Sequence, residues 1–519
     1  MSITKYFIWL QFSLLFTFSV FAQQQKKTPN ILIIFSDDHA YQAISAYGSK
    51  LMQTPNIDRI AKEGALFKNV FVTNSLCAPS RATLLTGKYS HANGLTINNI
   101  SNPFDVKQQL FPRILGQNNY QTAWIGKWHL QTLPDGFDFW KVLPGQGLYY
   151  NPQFIGMNND TTVSPGYVTD VISDFAEGWL NKRDTSKPFC LVVGEKATHR
   201  EWLPDLQDLG AFDDKTFPLP VNFYDKYENR PAAKDQEMEI DKFMRLKEDL
   251  KVQLDYDQKS GYSAYTHFNE AQRKQFSAYY DKITKEFDDH HYTGDALLRW
   301  KYQRYMKDYL ATAKSLDRNI GRLLDYLDKH HLRENTIVMY ASDQGFYMGE
   351  HGWFDKRFIY EESMRTPMVM RYPGTIQPGT VVNDMIVNVD FAPTFLDAAG
   401  VKVPSDIQGK SFLPLLKKNV QYKWRDAVYY HYYEFPEPHH VSPHFGVRTA
   451  RYKLIRFYGP ADYWELYDLK TDPHEMKNIY GVKENETIEA TMRKKLVELI
   501  TELKDNEAMD LLKKEKVVQ

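Results

Sequence analysis

The stretches ILIIFSDD (residues 31–38) and TIVMYASDQG (residues 336–345) decide the fold. Each is an unbroken apolar run that ends abruptly in acids. A strand that is apolar at every position, and not only at alternate ones, is covered on both faces, as in a parallel sheet with helices above and below. Helix-period patterns at 54–67, 106–116, 167–181 and 300–330, and strand candidates at 122–125, 189–193 and 368–371, alternate with these runs. The alternation predicts an α/β fold built on a large doubly wound, mostly parallel sheet. In such sheets the ligand crevice lies beyond the carboxyl ends of the strands, so both acid clusters are expected on one edge.

Outward from this core, residues 205–295 are crowded with Asp, Lys and Tyr and read as a surface insertion bordering the site. Long charged helical pieces, such as AAKDQEMEIDKFMRLKEDLKVQL (232–254), are expected within it. After about residue 418 the pattern changes to VYYHYYEF, YKLIRFY and YWELYDL, followed by a charged helix at about 484–504. Alternating aromatic strands and one helix predict a small α+β domain over 419–519, behind a large domain over 23–418.

The first 22 residues, MSITKYFIWLQFSLLFTFSVFA, combine a basic start at Lys5, an apolar stretch and a small residue at the end. They read as a signal peptide cleaved after Ala22, which predicts an exported protein, periplasmic or secreted. No later stretch is long and apolar enough to span a bilayer, so no stable membrane anchor is expected. The 519 residues are 43% hydrophobic and 14% aromatic, enough for a large core and incompatible with disorder. The formal net charge of −1 leaves no global basic field for nucleic acid, so an anionic ligand must meet a local cluster of cations.

An exported chain of this size would be expected to carry disulfides, yet it holds only Cys77 and Cys190. Cys190 sits in PFCLVVG, a strand pattern, and nothing local supports a Cys77–Cys190 bridge. Cys77 opens CAPSRATLLTG (77–87), where Pro79 suits the first turn of a helix and leaves Cys77 at the helix mouth, a place that favours anions. Arg81 follows four residues on. Two readings of the residues stay open: a half-buried thiol beside a capping turn, or a thiolate activated by the helix and Arg81.

Cys77-Ala78-Pro79-Ser80-Arg81, with Thr86-Gly87-Lys88 after it, resembles the Cys-x-Pro-Ser-Arg motif of type I sulfatases, members of the alkaline-phosphatase-like superfamily. The resemblance runs from PNILIIFSDD to WELYDLKTDPHEMKNI. It implies that a formylglycine-generating or anaerobic sulfatase-maturing enzyme oxidises Cys77 to formylglycine (3-oxoalanine), whose hydrate is the nucleophile. It also places a metal on Asp37, Asp38, Asp343 and Gln344, with residue 77 completing the shell. All-oxygen ligation suits Ca2+ before Mg2+. Family members carry Asn or His where this chain has Gln344.

Lys127 and His129 in GKWH, His199 in KATH and Lys356 in FDKR match sulfatase site segments in chain order. The resemblance implies that Lys127, Lys356 and His199 hold the sulfate, that His199 or Lys356 protonates the leaving alcohol, that His129 acts as a base, and that Arg81 steadies the diol. Each of these residues alone would read as a surface lysine or a core histidine. The runs SDDHAYQAISAYGS, VLPGQGLYYNPQFI and SDQGFYMGEHGWFDKRFIYEESMRTP are similar to bacterial N-acetylglucosamine-6-sulfatases. A sulfated glycan of mucin or glycosaminoglycan type is therefore the expected substrate, bound by Asp355 and by His444 in the His- and Tyr-rich loop 431–448. Trp353 reads as core, with sugar stacking as the alternative. Three other readings remain open: a sulfatase of another polysaccharide, a phosphatase or phosphodiesterase on the same fold, and a glycan-binding protein whose cysteine is never matured.

Overall fold

The computed structural model describes residues 28–99, 101, 103–254, 264–417 and 422–515. The predicted signal peptide, 1–22, lies outside them, as do the first residues after the expected domain boundary at 418. Among the described residues no helix is long and apolar enough to cross a membrane.

Ten strands form the main sheet: β1 (Asn30–Ser36), β2 (Ala65–Phe71), β3 (Gln121–Lys127), β4 (Phe139–Leu143), β5 (Gln153–Gly156), β6 (Thr161–Val163), β7 (Phe189–Gly194), β8 (Thr336–Ser342), β9 (Met368–Arg371) and β10 (Thr380–Val387). Their order is β10-β2-β9-β8-β1-β7-β3-β4-β5-β6. The central run β8-β1-β7-β3-β4 is wholly parallel. Register aligns the strand ends: Ser36 pairs with Ser342, Phe35 with Gly194, and Gly126 with Gly194. The residues that follow β1, β7 and β8, together with the last residue of β3, therefore emerge on one edge, as the two acid-terminated runs predict.

The unbroken apolar pattern of β1 is explained by its two buried faces. Ile31, Ile33 and Phe35 pack with Ala82, Leu84 and Leu85 of the helix Cys77–Thr86. Leu32 and Ile34 pack with Leu316, Ile320 and Leu323 of the helix Gly294–Lys329. That long helix begins six residues before the predicted 300. The pattern at 54–67 resolves into a helix, Pro55–Glu63, and then β2, because the chain turns at Gly64 where a Cβ would strike the Met370 carbonyl. The helix predicted over 106–116 starts at Phe111, where Pro112 occupies its first turn.

The insertion departs further from expectation. Of the charged stretch 232–254, only the helix Pro231–Asp235 forms, and the rest is turns. Met238, Ile240, Met244, Leu250 and Val252 are buried, a spacing no single helix face provides. Ile240, Met244, Leu250 and Val252 pack with Phe212, Phe217 and Phe223 against Tyr302, Tyr305 and Met306 of the long helix. Charge density along the sequence concealed a second apolar layer.

The C-terminal part is an antiparallel sheet of β11 (Ala427–Tyr432), β12 (His444–Thr449), β13 (Tyr452–Phe457) and β14 (Tyr463–Asp468), with the helix Glu486–Leu503 packed on it. β12 was not predicted, since its sequence HFGVRT lacks a clean alternation. Phe71, Leu76, Ile359 and Met364 of the large body share a core with Val428, Phe445 and Leu454 of this sheet, which presses it against the strand-end edge.

At Gly126 (φ 101°) β3 passes so close to β7 that a Cβ would lie 2.0 Å from the Gly194 carbonyl oxygen. Gly126→Ala is expected to cost about 3 kcal/mol, the scale of left-handed strain plus forced strand displacement. Urea unfolding checks this; a change within about 0.5 kcal/mol would contradict the close approach.

Candidate active site

Asp37 and Asp38 follow β1, Asp343 and Gln344 follow β8, Lys127 ends β3, and Lys196 and His199 follow β7. Against this edge stands the mouth of the helix Cys77–Thr86, entered from extended Leu76. Cys77 and Pro79 lie in its first turn, where a missing N–H costs nothing. The Ala78 N–H donates to Asn98 Oδ1 at 3.0 Å, and Ser80 Oγ donates to the Asp343 carbonyl. These bonds fix the helix mouth against the end of β8.

Three carboxylates here meet three cations from distant parts of the chain. Arg81 donates to Asp343 Oδ2 through Nε (3.1 Å) and Nη2 (2.9 Å), and to the Lys127 carbonyl through Nη1 (3.0 Å). Lys127 Nζ donates to Asp37 and to the side-chain oxygen of Gln146. Lys356 Nζ donates to both oxygens of Asp38 at 2.7 Å. Cys77 Sγ lies 3.2 Å from Asp37 Oδ1 and 3.7 Å from Lys356 Nζ. Asp37, Asp38, Asp343, Lys127 and Arg81 are all 0–1% exposed.

Burial sets the acidities, and neighbouring charge then divides them. Burial raises Asp37, but Lys127, His199, Arg81 and Lys356 outweigh it and hold this carboxyl well below the usual range. Asp38 rises to about 6 through burial, offset by Lys356 and helped by Asp37. Asp343 rises to about 8 through burial and the charge of Asp37, against Arg81. Burial and Asp37 also push the Cys77 thiol up. The structure thus departs from the activated-thiolate reading: the Arg81 guanidinium is committed to Asp343 and Lys127, and the thiol is held protonated beside a carboxylate.

This donor set fits a hard cation. Carboxylate oxygens of Asp37, Asp38 and Asp343 lie within 4.8 Å of one another, too close to remain ionised together without a positive charge among them. Gln344 donates through Nε2 to Asp38 Oδ1 (2.5 Å), while its Oε1 is buried and has no partner among the described residues. Turning that amide over would aim the orphaned oxygen at the same cluster, the orientation a cation would select.

The remaining predicted groups surround this centre. His199 Nδ1 faces the Arg200 carbonyl at 2.6 Å, so Nε2 points inward, 3.9 Å from Asp38 Oδ2 and grouped with Asp37 and Cys77. Burial first, and Lys127 second, depress its basicity well below normal, and the same two causes act on His129. His129, held at φ 58°, has a buried Nδ1 with no partner. Lys196, which opens the KATH segment but was given no role of its own, reaches the Gln146 carbonyl (3.3 Å), and burial and Lys127 bring its ammonium down to about 8.

Asp355, next to Lys356, is buried, ion-paired with Arg357 (3.2 Å) and 3.3 Å from His439 Nε2. Arg357 also reaches Glu434 (2.5 Å), whose other oxygen accepts the Asn98 N–H at 2.8 Å. His444 is corrected: it is 0% exposed, its Nε2 accepts the Ile359 N–H (3.0 Å), and its Nδ1 faces the Ser442 carbonyl (2.9 Å). Both nitrogens are spent inside the C-terminal core. Within the loop 431–448 the residue beside Asp355 is His439, and sequence alone had no means of choosing among four histidines. Trp353 is core, stacked on Phe358 and bonded to Tyr227.

Comparison with known proteins agrees with this geometry. The family model described as Sulfatase matches residues 29–401, and that of N-sulphoglucosamine sulphohydrolase, C-terminal, matches 349–502. The chain is 48% identical over 497 residues to an N-acetylglucosamine-6-O-sulfatase of Bacteroides thetaiotaomicron, covering 93% of this chain and 88% of the relative. An ulvan-active sulfatase of Formosa agariphila is 27% identical, covering 93% and 84%. Among solved structures, one in complex with its substrate D-glucosamine-2-N,6-O-disulfate superposes with a TM-score of 0.90 at 47% identity, over 92% of this chain and 99% of that one.

Because Asp38 and Asp343 bind protons in the ion-free fold that an unfolded chain would have released, these two groups destabilise the fold as pH rises from about 4 toward 8. Asp37 acts oppositely, its contribution being lost only on acidification below the usual carboxylate range. A cation would replace those protons, so at one Ca2+ concentration the rise in Tm is expected to be larger at pH 8 than at pH 5, the stabilisation being about 2.7 kcal/mol where free Ca2+ stands a hundredfold above Kd. Differential scanning calorimetry with Ca2+ and with chelator checks this; a pH-independent gain, or none, would contradict it.

Proposed function

The chain belongs to the sulfatase family, and from that premise we propose that it is an exported enzyme that hydrolyses the 6-O-sulfate of N-acetylglucosamine or a related glucosamine in a glycan, using Ca2+ and a formylglycine made from Cys77. The observation that carries the reading is the meeting of Cys77, Asp37, Asp343, Lys127 and Lys356 in one buried cluster. The thiol itself is a poor nucleophile here, buried, protonated and beside a carboxylate, which supports its replacement by a modified residue.

Asp37, Asp38, Asp343 and Gln344 would hold the ion. When bound, it polarises an oxygen on residue 77, which the hydrated aldehyde supplies. The chain's own groups do the rest. Lys127, Lys356 and His199 face the position of the sulfuryl oxygens and neutralise charge that grows as the ester bond breaks. Lys356 enters the reaction protonated, held so by Asp38, and is placed to give a proton to the departing alcohol. His199 is neutral until the anionic ester arrives and raises its basicity. His129 keeps a buried Nδ1 without a partner among the described residues, and once negative charge on the intermediate restores its depressed basicity it can take a proton from residue 77 and so release sulfate. Arg81, gripping Asp343 and Lys127, keeps these tips in register.

Sugar recognition is assigned to the rim beyond Lys356. Asp355 and His439 stand together there, and a carboxylate beside an imidazole can bond adjacent ring hydroxyls. The relatives' substrates, glucosamine 6-sulfates in two of the three, support the choice of sugar.

Three kinetic experiments test this. On a panel of mono-sulfated sugars and a matching phosphate monoester, kcat/KM for N-acetylglucosamine 6-sulfate is expected to exceed every other by about tenfold or more. Equal rates across ester positions would remove the substrate assignment, and a faster phosphate ester would remove the sulfatase. Cys77→Ala is expected to leave Tm unchanged and lower kcat by about 10^4-fold or more. Asp355→Asn is expected to lower kcat/KM by about 10–100-fold on the sugar ester but little on an aryl sulfate, which has no ring hydroxyls to lose. Equal losses on both substrates would move Asp355 out of sugar recognition.

A further inference from the structure

Between the large body and the C-terminal sheet lies a cleft of about 510 Å3. None of the catalytic candidates lines it. Its body wall is the segment 361–365 and Tyr41, and its other wall is the β12–β13 turn with residues 469–474 after β14. The segment 361–365 has two sides. Toward the catalytic centre, the Ser363 carbonyl accepts from Ser75 Oγ (3.1 Å) and the Gly345 N–H (2.9 Å). Toward the cleft it presents Glu362 and Arg365.

Most charges in this cleft are already spent. Arg448 bonds both oxygens of Glu361 (3.1 and 3.2 Å), and Lys453 backs the same carboxylate at 3.0 Å. Arg451 is paired bidentately with Asp468 (3.0 and 2.7 Å). Three groups remain. Arg365 lies 4.3 Å over the Tyr41 ring, its Nε is buried without an acceptor, and no carboxylate pairs with it among the described residues. Lys470 is exposed, and its ammonium has no partner among them. Glu362 lies 4.0 Å from His351 and from His474, whose imidazole its carboxylate holds above the usual range, and its buried Oε2 has no donor among the described residues. Unmade bonds to the buried Arg365 Nε and Glu362 Oε2 are costly, and Lys470 is exposed beside them; all three residues line one cavity. A ligand that satisfies them must bring an anion to Arg365 and Lys470 and a hydroxyl or N–H donor to Glu362. A sulfated sugar carries both within one ring; inorganic sulfate carries only the first.

We propose that this cleft is a second, non-catalytic binding site for a sulfated saccharide, with its sulfate on Arg365 and Lys470 and a hydroxyl on Glu362. It holds a stretch of the polymer that is not being cleaved. The site's chemistry stands independently of the catalytic reading, and binding is measured without turnover, so failure of one does not imply failure of the other.

The test is isothermal titration of the full chain with a glycosaminoglycan-type tetrasaccharide bearing N- and 2-O-sulfates but no 6-O-sulfate, alongside its unsulfated counterpart and sodium sulfate. Wild-type protein is expected to bind the sulfated tetrasaccharide with one equivalent that Lys470→Glu, an exposed substitution that the fold tolerates, weakens at least tenfold. Arg365→Gln is expected to do the same, and both variants should leave kcat/KM on a monosaccharide sulfate within twofold of wild type. Glu362→Gln should weaken the tetrasaccharide but not sodium sulfate. Binding unchanged in Lys470→Glu, or equally tight binding of the unsulfated sugar, would overturn the proposal; so would sodium sulfate displacing the tetrasaccharide at equal concentration.

Discussion

The structure depends on a balance of charge in a dry place. Asp37, Asp38 and Asp343 are gathered at the ends of two adjacent parallel strands, and the sheet leaves them no water to face. Each carboxylate buried alone would neutralise itself or move. Each instead meets its own cation, Lys127, Lys356 or Arg81, delivered by a different strand, loop or helix. These pairs tie β1, β3, β8, the Cys77 helix and the 355–357 loop to a single point. That point is also where chemistry on an anionic ester requires positive charge. A divalent ion that displaces the protons held by Asp38 and Asp343 leaves three carboxylates facing three cations and the ion, an excess of two positive charges that suits an arriving sulfate ester.

A second constraint is set by the C-terminal sheet. It supplies no residue to the carboxylate cluster, yet it closes the rim beyond it. Glu434 joins Asn98, near the Cys77 helix, to Arg357, beside Lys356. Tyr430 donates to the Arg357 carbonyl and accepts the Ser75 N–H at 3.0 Å. The small sheet thus holds both loops that carry the reactive side chains, and the loop between its first two strands brings His439 to Asp355. Recognition of the sugar and placement of Lys356 are mechanically one assembly.

Much of this was legible in the sequence, for identifiable reasons. Apolar runs ending in acids can be buried only in a parallel sheet, so β1, β8 and the convergence of Asp37 with Asp343 followed from the pattern. The Cys77 helix mouth followed from Pro79 and its neighbours. Other features depended on contacts between distant segments, which a linear reading does not contain. The insertion looked helical because its charges are dense, but its apolar residues at 238, 240, 244, 250 and 252 serve a tertiary layer. His444 and His439 look alike in sequence; they differ because β12 carries one into the core while the preceding loop leaves the other beside Asp355. Gln146 and Lys196 lie within segments that the sequence singles out, VLPGQGLYYNPQFI and KATH, but their contact beside the catalytic lysine arises through folding alone.

The measurement that bears most directly on the central claim is a crystal structure of the matured protein grown with Ca2+, with the ion identified by anomalous scattering. One ion is predicted among Asp37, Asp38, Asp343 and residue 77, with oxygen distances of about 2.3–2.6 Å. The Gln344 amide oxygen should be turned toward it, and residue 77 should carry oxygen in place of sulfur. An intact thiol with the three carboxylates still paired only to Arg81, Lys127 and Lys356, and no ion between them, would contradict it.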